Sequence, residues 1–210
     1  MENLKGKNVL VTGATGGIGS ATVKLLTGSG ASVFVSGRNA EKLKAIAMAN
    51  NIPSEHVFVA ELADEVKLQS MGDRIHSMIP QLDILINAAG IGIIKPLETL
   101  TINDFLNTIN SNLVGTFILV KTFLPKMKEA KKGLIINIPG VLGKVPMAGA
   151  VAYCASKYGL LGMMQCVREE VKRTDIRITN IFMGGVDSSF WDTIDLRVQR
   201  EKMIQAEEAA

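Results

Sequence analysis

The stretch Val9–Gly19, which reads VLVTGATGGIG, decides the fold of this chain. Its three apolar residues Val9–Val11 predict a short strand. Glycines at 13, 16, 17 and 19 predict a turn, and the apolar spacing from Ile18 onward predicts a helix. A strand that runs through glycines into a helix N-terminus lets free N–H groups approach a phosphate, and the helix dipole favours its charge. We therefore predict a phosphate site here; because the strict G-x-G-x-x-G spacing is absent, a simple turn is the alternative.

Composition points to one soluble globular domain over residues 1–210. The chain is 47% hydrophobic and 20% charged, with a net charge of +3 spread along its length. No basic cluster predicts a nucleic-acid partner, and no apolar run is long enough for a membrane span, so neither partner is expected. Only two cysteines occur, without the spacing of metal ligands, which favours a reducing cytoplasmic location and no metal site.

Apolar runs and helical periodicities alternate along the whole chain. Beyond the first strand, strands are predicted at 31–36, 56–60, 82–87, 133–138 and 176–182, and helices at 18–29, 40–49, 64–78, 101–128, 150–172 and 190–209. Because these strands are continuously apolar, they are expected to lie in a parallel sheet that is covered on both faces. The predicted fold class is α/β, a Rossmann-type doubly wound parallel sheet in three layers, with ligands at the carboxyl ends of its strands.

The end of the second strand indicates which dinucleotide the chain prefers. An acidic residue about 20 residues past the glycine turn would bind the ribose hydroxyls of NAD. Gly37 leaves that place open, and Arg38 offers a fork of donors for a 2′-phosphate, with Ser36 as an additional hydroxyl. We therefore predict NADP(H) rather than NAD(H); a solvated surface arginine is the alternative.

A tyrosine and a lysine stand four residues apart in the helix predicted at 150–172. At that spacing Tyr153 and Lys157 share one helix face. A nearby ammonium favours the phenolate and lowers the phenol pKa, so the pair is suited to exchange a proton with an alcohol or carbonyl oxygen. Because the Y-x-x-x-K spacing is common, a surface tyrosine beside a solvated lysine is the alternative.

Four segments in this order resemble the short-chain dehydrogenase/reductase family. They are Thr12–Gly19, Asn87–Gly90 (NAAG), Asn112–Gly115 (NLVG) and Tyr153–Lys157 (YCASK). The resemblance covers about residues 5–190. It implies an oxidoreductase that interconverts a carbonyl and an alcohol on a small-molecule substrate, and a homodimer or homotetramer. Together with Arg38, it predicts an NADP(H)-dependent enzyme.

The resemblance also assigns roles to individual residues. Tyr153 would be the acid–base residue, Lys157 would lower its pKa and hold the nicotinamide ribose, and Asn112 would anchor a water that relays protons to Lys157. With the positions named above, the expected cofactor-binding residues are Gly13, Thr15, Gly16, Gly17, Ile18, Gly19, Ser36, Gly37, Arg38, Glu61, Leu62, Asn87, Ala88, Ala89, Gly90, Tyr153, Lys157, Gly184, Val186 and Ser188.

The chain departs from the family at the position of its fourth catalytic residue. The family places a serine 13 residues before the tyrosine, where this chain has Gly140 after Pro139. Loss of one such donor typically costs about 10²–10³ in rate at comparable sites. Two interpretations remain open: an impaired or specialised enzyme in which water or a substrate group replaces the hydroxyl, and an NADP-binding sensor or scaffold that no longer turns over.

Three further features concern the end of the chain and the substrate. The family usually has proline where Met183 stands, and its members commonly continue beyond residue 210 into a seventh strand, which we therefore expect to be missing here. The substrate pocket is expected to be lined by residues 91–100 and 147–150 together with Phe190 and Trp191. These are mostly apolar, which favours an apolar substrate.

Overall fold

A six-stranded parallel sheet forms the centre of the computed structural model, which describes residues 4–194 and 196–210. The strands are β1 (Asn8–Thr12), β2 (Ser32–Gly37), β3 (Val57–Val59), β4 (Ile84–Asn87), β5 (Lys132–Asn137) and β6 (Asp175–Asn180). Their order across the sheet is β3-β2-β1-β4-β5-β6. The order reverses direction at β1, so the predicted doubly wound fold is confirmed, with strand ends within two residues of those predicted.

Helices cover both faces of the sheet. They are α1 (Gly17–Gly28), α2 (Ala40–Ala49), α3 (Glu65–Met78), α4 (Ile102–Ile109), α5 (Gly115–Glu129), α6 (Val151–Val171) and α7 (Ala206–Ala209). Alternate residues of β1 enter two separate cores. Leu10 packs with α3, α5 and α6, whereas Val9 and Val11 pack with α1 and α2. The predicted three layers follow from this division.

The helix predicted at 101–128 is not one regular helix. α4 begins at a capping box, in which the Asp104 N–H donates to Thr101 Oγ1 over 3.0 Å and the Thr101 N–H donates back to the Asp104 carboxylate over 3.2 Å. A π-helical turn over Asn110–Val114 then separates α4 from α5. α5 continues through Pro125 to Glu129. Such single π turns frequently mark functional positions, and this one carries Asn112.

The prediction of a helix at 190–209 is wrong. The structure instead has short 3₁₀ turns at Ser189–Thr193 and Arg200–Lys202, followed by the single turn of α7. The chain folds back because Val186 forms a parallel bridge with Ile204, and the Asp187 N–H donates to the Ile204 carbonyl over 2.9 Å. The local charge pattern contains no signal of this long-range pairing.

Candidate active site

The glycine turn between β1 and α1 has a shape that side chains would destroy. Gly13 has a φ of +67°, and a Cβ there would lie 2.6 Å from the Ala89 backbone. A Cβ on Gly19 would collide with the Gly13 carbonyl. The helix is capped by Gly16, which has no side chain to accept from the first-turn N–H groups, and that turn has no acidic residue. Backbone N–H groups at a helix N-terminus that no side chain caps fit a phosphate.

The end of β2 places the residues expected at the adenosine ribose. A Cβ on Gly37 would lie 3.2 Å from both Thr15 Cγ2 and Thr15 Oγ1, so Thr15 occupies the place that an acidic side chain would need. Arg38 is exposed, and its Nη1 lies 4.0 Å from Glu61 Oε1. Ser36, in contrast, is buried at 2% exposure, and its carbonyl accepts from the Ala14 N–H. The Ser36 hydroxyl therefore lies beneath the surface that Arg38 presents.

Three asparagines line up at the carboxyl ends of β4, β5 and β6. Asn87 Nδ2 donates to Asn137 Oδ1 over 2.8 Å, and Asn137 Nδ2 donates to Asn180 Oδ1 over 2.9 Å. Asn87 Oδ1 is buried and has no partner among the described residues. The strand register places the three residues directly opposite one another, so they form a continuous polar row at the carboxyl edge of the sheet.

Asn112 braces the loop after β4 against α6. Its Oδ1 accepts from the Ile91 N–H over 2.8 Å, and its Nδ2 donates to the Ile91 carbonyl over 2.9 Å and to Ser156 Oγ over 3.0 Å. Ser156 Oγ in turn donates to the Tyr153 carbonyl over 2.7 Å. Because its side chain is 1% exposed and well bonded, Asn112 holds the Ile91 loop and the tyrosine turn of α6 in fixed relation.

Lys157 lies beneath this loop at the sheet edge. Its Nζ donates to the Ile138 carbonyl over 3.3 Å and lies 3.5 Å from where a Cβ on Gly90 would stand. Burial lowers the pKa of Lys157 to about 8. The lysine is therefore poised to change charge near neutral pH, which is typical of functional lysines.

Tyr153 shares the helix face of Lys157, as predicted, but its pKa moves the other way. The Lys157 Nζ lies 5.3 Å from the phenol ring centroid, and the Phe190 ring lies 5.9 Å from it on a tilted plane. Burial raises the pKa of Tyr153 to about 12. The expected lowering by Lys157 fails because desolvation of the phenol outweighs an ammonium at this distance. In this state the phenol holds its proton, and the raised pKa makes it a weaker acid than a free tyrosine.

Gly140 has a backbone that other residues rarely adopt. Its φ is +69° and its ψ is 174°, in a region populated almost only by glycine. Its N–H donates to the Ile181 carbonyl over 3.4 Å, and the next N–H, of Val141, donates to the Met183 carbonyl over 2.9 Å. A Cβ at Gly140 would have open space, with only the Met183 oxygen nearby at 3.7 Å. The position without a hydroxyl thus also has a backbone conformation that favours glycine, which the sequence alone does not reveal.

The segment after β6 lies over the glycine turn and the tyrosine. A Cβ on Gly17 would stand 2.7 Å from Ser188 Cβ, and a Cβ on Gly92 would overlap the Phe190 ring. Val186 is buried at 6% exposure, and its carbonyl accepts from the Trp191 indole N–H over 2.9 Å. Ser188 therefore lies against the glycine turn, and Phe190 lies between Gly92 and the Tyr153 ring.

The other expected cofactor residues are placed less uniformly. Leu62 is buried in the core, and its carbonyl lies close to Gly115. Gly184 has open space where a Cβ would stand. Ile18 is half-buried, and Ala88 packs against the core shared by α1 and α2. Within the described residues, no three His, Cys, Asp or Glu side chains converge on a point that would hold a metal.

Comparison with known proteins identifies the family of this chain. A family model described as short chain dehydrogenase matches residues 7–198. The chain belongs to the short-chain dehydrogenase family. Within this oxidoreductase family, the chain is 36% identical over 209 residues to the 3-oxoacyl-(acyl-carrier-protein) reductase FabG of Rickettsia felis, covering 98% of this chain and 83% of that one. It is 33% identical over 180 residues to the D-threitol dehydrogenase of Mycolicibacterium smegmatis, covering 85% of this chain and 69% of that one.

A solved family member has the same fold. The structure of a metagenomic short-chain oxidoreductase in complex with NADP superposes with a TM-score of 0.83 at 29% identity, covering 99% of this chain and 89% of that one. Among the helices that the structure describes, none is both long and apolar enough to cross a membrane.

Proposed function

We propose that the protein is an NADP(H)-dependent oxidoreductase that interconverts a carbonyl and an alcohol on a small substrate, with turnover slowed by Gly140. One observation carries the proposal. Asn112, Tyr153 and Lys157 meet at the carboxyl edge of the sheet, where Asn112 is tied to the loop of Ile91 and to Ser156. Ligands bind at this edge, beside the reversal of strand order, in doubly wound folds.

The residues of the chain divide the chemistry among themselves. The bound nicotinamide would supply or accept the hydride. The first turn of α1 would hold the phosphates, and the Asn87–Gly90 loop would face the ribose. Tyr153, protonated in this state, would donate its proton to the carbonyl oxygen as the alcohol forms, and the Lys157 ammonium would favour the phenolate that remains. Gly140 offers no hydroxyl to that oxygen, so we expect a lower rate than a serine would give.

The preference for NADP(H) is supported by the end of β2. Arg38 is exposed and its only described ionic partner is Glu61 at 4.0 Å, so its guanidinium remains available to a 2′-phosphate. Thr15 fills the place from which an acidic residue at position 37 would bind the ribose hydroxyls. The relative with a bound NADP agrees with this preference.

Substitution of Arg38 tests the cofactor preference. Arg38→Met should weaken NADPH binding about tenfold to hundredfold, the loss of a charged hydrogen bond, while NADH binding changes little. Glu61→Gln is the matched variant. It removes the competing carboxylate and should tighten NADPH binding about twofold. Titration calorimetry measures both, and an equal loss of NADPH and NADH affinity in Arg38→Met would contradict the assignment.

The second candidate is a sensor or scaffold that binds NADP without turnover. The glycine-only backbone at Gly140 favours it, because the loop is built for a residue without a hydroxyl. For a sensor, NADPH should raise the melting temperature or shift the oligomeric state. In that case Tyr153→Phe should change neither response, and a carbonyl panel should give no NADPH oxidation in either protein.

Three further expectations accompany the proposal. The Phe190 ring lies 5.9 Å from the Tyr153 ring, which favours an apolar substrate. A homodimer or homotetramer is expected by family resemblance, and Phe117 on α5 supports it because 47% of this large apolar residue is exposed. A cytoplasmic location remains an expectation from cysteine usage.

A further inference from the structure

Arg200 joins three groups of the segment that lies over the site. Its Nε donates to Asp187 Oδ1 over 2.6 Å, its Nη1 donates to Asp192 Oδ1 over 2.8 Å, and its Nη2 donates to the Ser188 carbonyl over 3.0 Å. The two carboxylates raise the pKa of Arg200, so its charge is permanent. A planar guanidinium that engages three acceptors fixes their relative positions more strictly than a single ion pair does.

The groups that Arg200 holds are adjacent to those that contact the site. Ser188, whose carbonyl accepts from Arg200, lies against Gly17 at the phosphate turn. Phe190, two residues later, packs on Gly92 and lies 5.9 Å from the Tyr153 ring. The Phe190 N–H also donates to Ser188 Oγ over 3.4 Å, so a shift of Ser188 is transmitted to Phe190.

We propose that Arg200 is a positioning residue, which sets both the cofactor face at Ser188 and the substrate wall at Phe190. The proposal rests on the proposed oxidoreductase function for its kinetic consequences. The described side-chain hydrogen bonds of Arg200 go to Asp187, Ser188 and Asp192, and it acts by holding these three residues in one arrangement. Loss of its side chain lets Ser188 leave Gly17 and Phe190 leave Gly92, so both binding steps weaken.

The only tryptophan of the chain provides a direct reporter. Trp191 lies within the held segment, donates its indole N–H to the Val186 carbonyl, and meets the Phe190 ring edge-on with centroids 5.3 Å apart. Its emission and its quenching by acrylamide therefore report the segment in the absence of any cofactor. Arg200→Met should make Trp191 more accessible to acrylamide than in the wild type.

The matched control is Arg197→Met, which removes an exposed guanidinium from the same segment. Arg200→Met should raise about tenfold the KM for NADPH and the KM for whichever compound of an apolar carbonyl panel the wild type reduces fastest. The reason is that several partly exposed charged contacts are lost together. Arg197→Met should leave both KM values and the quenching of Trp191 as in the wild type. Arg200→Lys retains the charge but not the fork, so it should fall between the two.

Several outcomes overturn the proposal. They are equal quenching and equal KM in Arg200→Met and Arg197→Met, or a loss in kcat alone. If Arg200→Met does not fold by circular dichroism, an unchanged KM in Arg200→Lys overturns it and a raised KM supports it. If the wild type binds no dinucleotide, the proposed function fails, and Trp191 quenching alone then decides whether Arg200 holds the segment.

Discussion

Replacement of Lys157 by methionine should stabilise the protein while it removes activity. The lysine is 4% exposed, and burial lowers its pKa from 10.5 to about 8. At about 1.4 kcal/mol for each tenfold change in equilibrium, burial of the charged form costs roughly 3 kcal/mol at pH 7. The variant also loses the hydrogen bond to the Ile138 carbonyl, which offsets about 1 kcal/mol of this gain. Lys157→Met should therefore unfold with a free energy about 2 kcal/mol larger than that of the wild type.

The gain should depend on pH in a defined direction. Below pH 8 the folded lysine is charged and the whole cost is present. As pH rises from about 8 towards 10.5 the folded lysine is neutral while the unfolded one still holds its proton, so the wild type gains stability relative to the variant. Near pH 9.5 the cost falls by about 2 kcal/mol, and the two proteins should be nearly equal in stability.

Urea denaturation of Lys157→Met and the wild type at both pH values measures this difference. Lys172→Met is the control. Lys172 is an exposed lysine at the C-terminal end of α6, where it pairs with Glu169. Its effect should stay within about 0.5 kcal/mol at both pH values. A Lys157→Met protein that is less stable than the wild type at pH 7, or a gain that does not change with pH, would refute the reasoning.

Two further substitutions test the framework of the site. Asn112→Ala should lower the free energy of unfolding by about 2–4 kcal/mol, because the Ile91 N–H and carbonyl and Ser156 Oγ lose buried partners; urea denaturation measures it, and a loss below about 1 kcal/mol would contradict the bracing role. Gly140→Ser alone should lower the free energy of unfolding by about 1–3 kcal/mol because of the positive φ; urea denaturation measures it, and a fully stable variant would show that this backbone accepts other residues. Gly140→Ser with Pro139→Ser should increase NADPH oxidation, because it restores a hydroxyl at the position of the family's serine, and an unchanged rate would contradict that role of the hydroxyl.

Much of the fold was predictable because local and global signals agree. The strands of this sheet are buried on both faces, so they appear as continuous apolar runs, and the glycine turn marks the first of them. The 190–209 region was not predictable in the same way. Its order comes from the Val186–Ile204 bridge and from Arg200, contacts between residues that no local period connects.

The site shows the same division. Asn112 and Lys157 were proposed as site residues because they stand inside motifs of the family resemblance. Ser156 stands inside one of these motifs as well, although its bond to Asn112 went unpredicted. The prediction that the pKa of Tyr153 is lowered was wrong in direction, because the burial that raises this pKa depends on tertiary packing around the ring. The backbone of Gly140 is equally invisible in a sequence, since glycine permits but does not require a positive φ.

The most direct test of the central claim is NADPH oxidation by the wild type and by Tyr153→Phe, across a panel of apolar carbonyl compounds. The account predicts slow turnover in the wild type, which disappears in Tyr153→Phe while the Kd for NADPH stays the same, because the phenol transfers a proton and does not anchor the phosphates. Tight NADPH binding with no oxidation of any compound by the wild type, or undiminished oxidation by Tyr153→Phe, would contradict it.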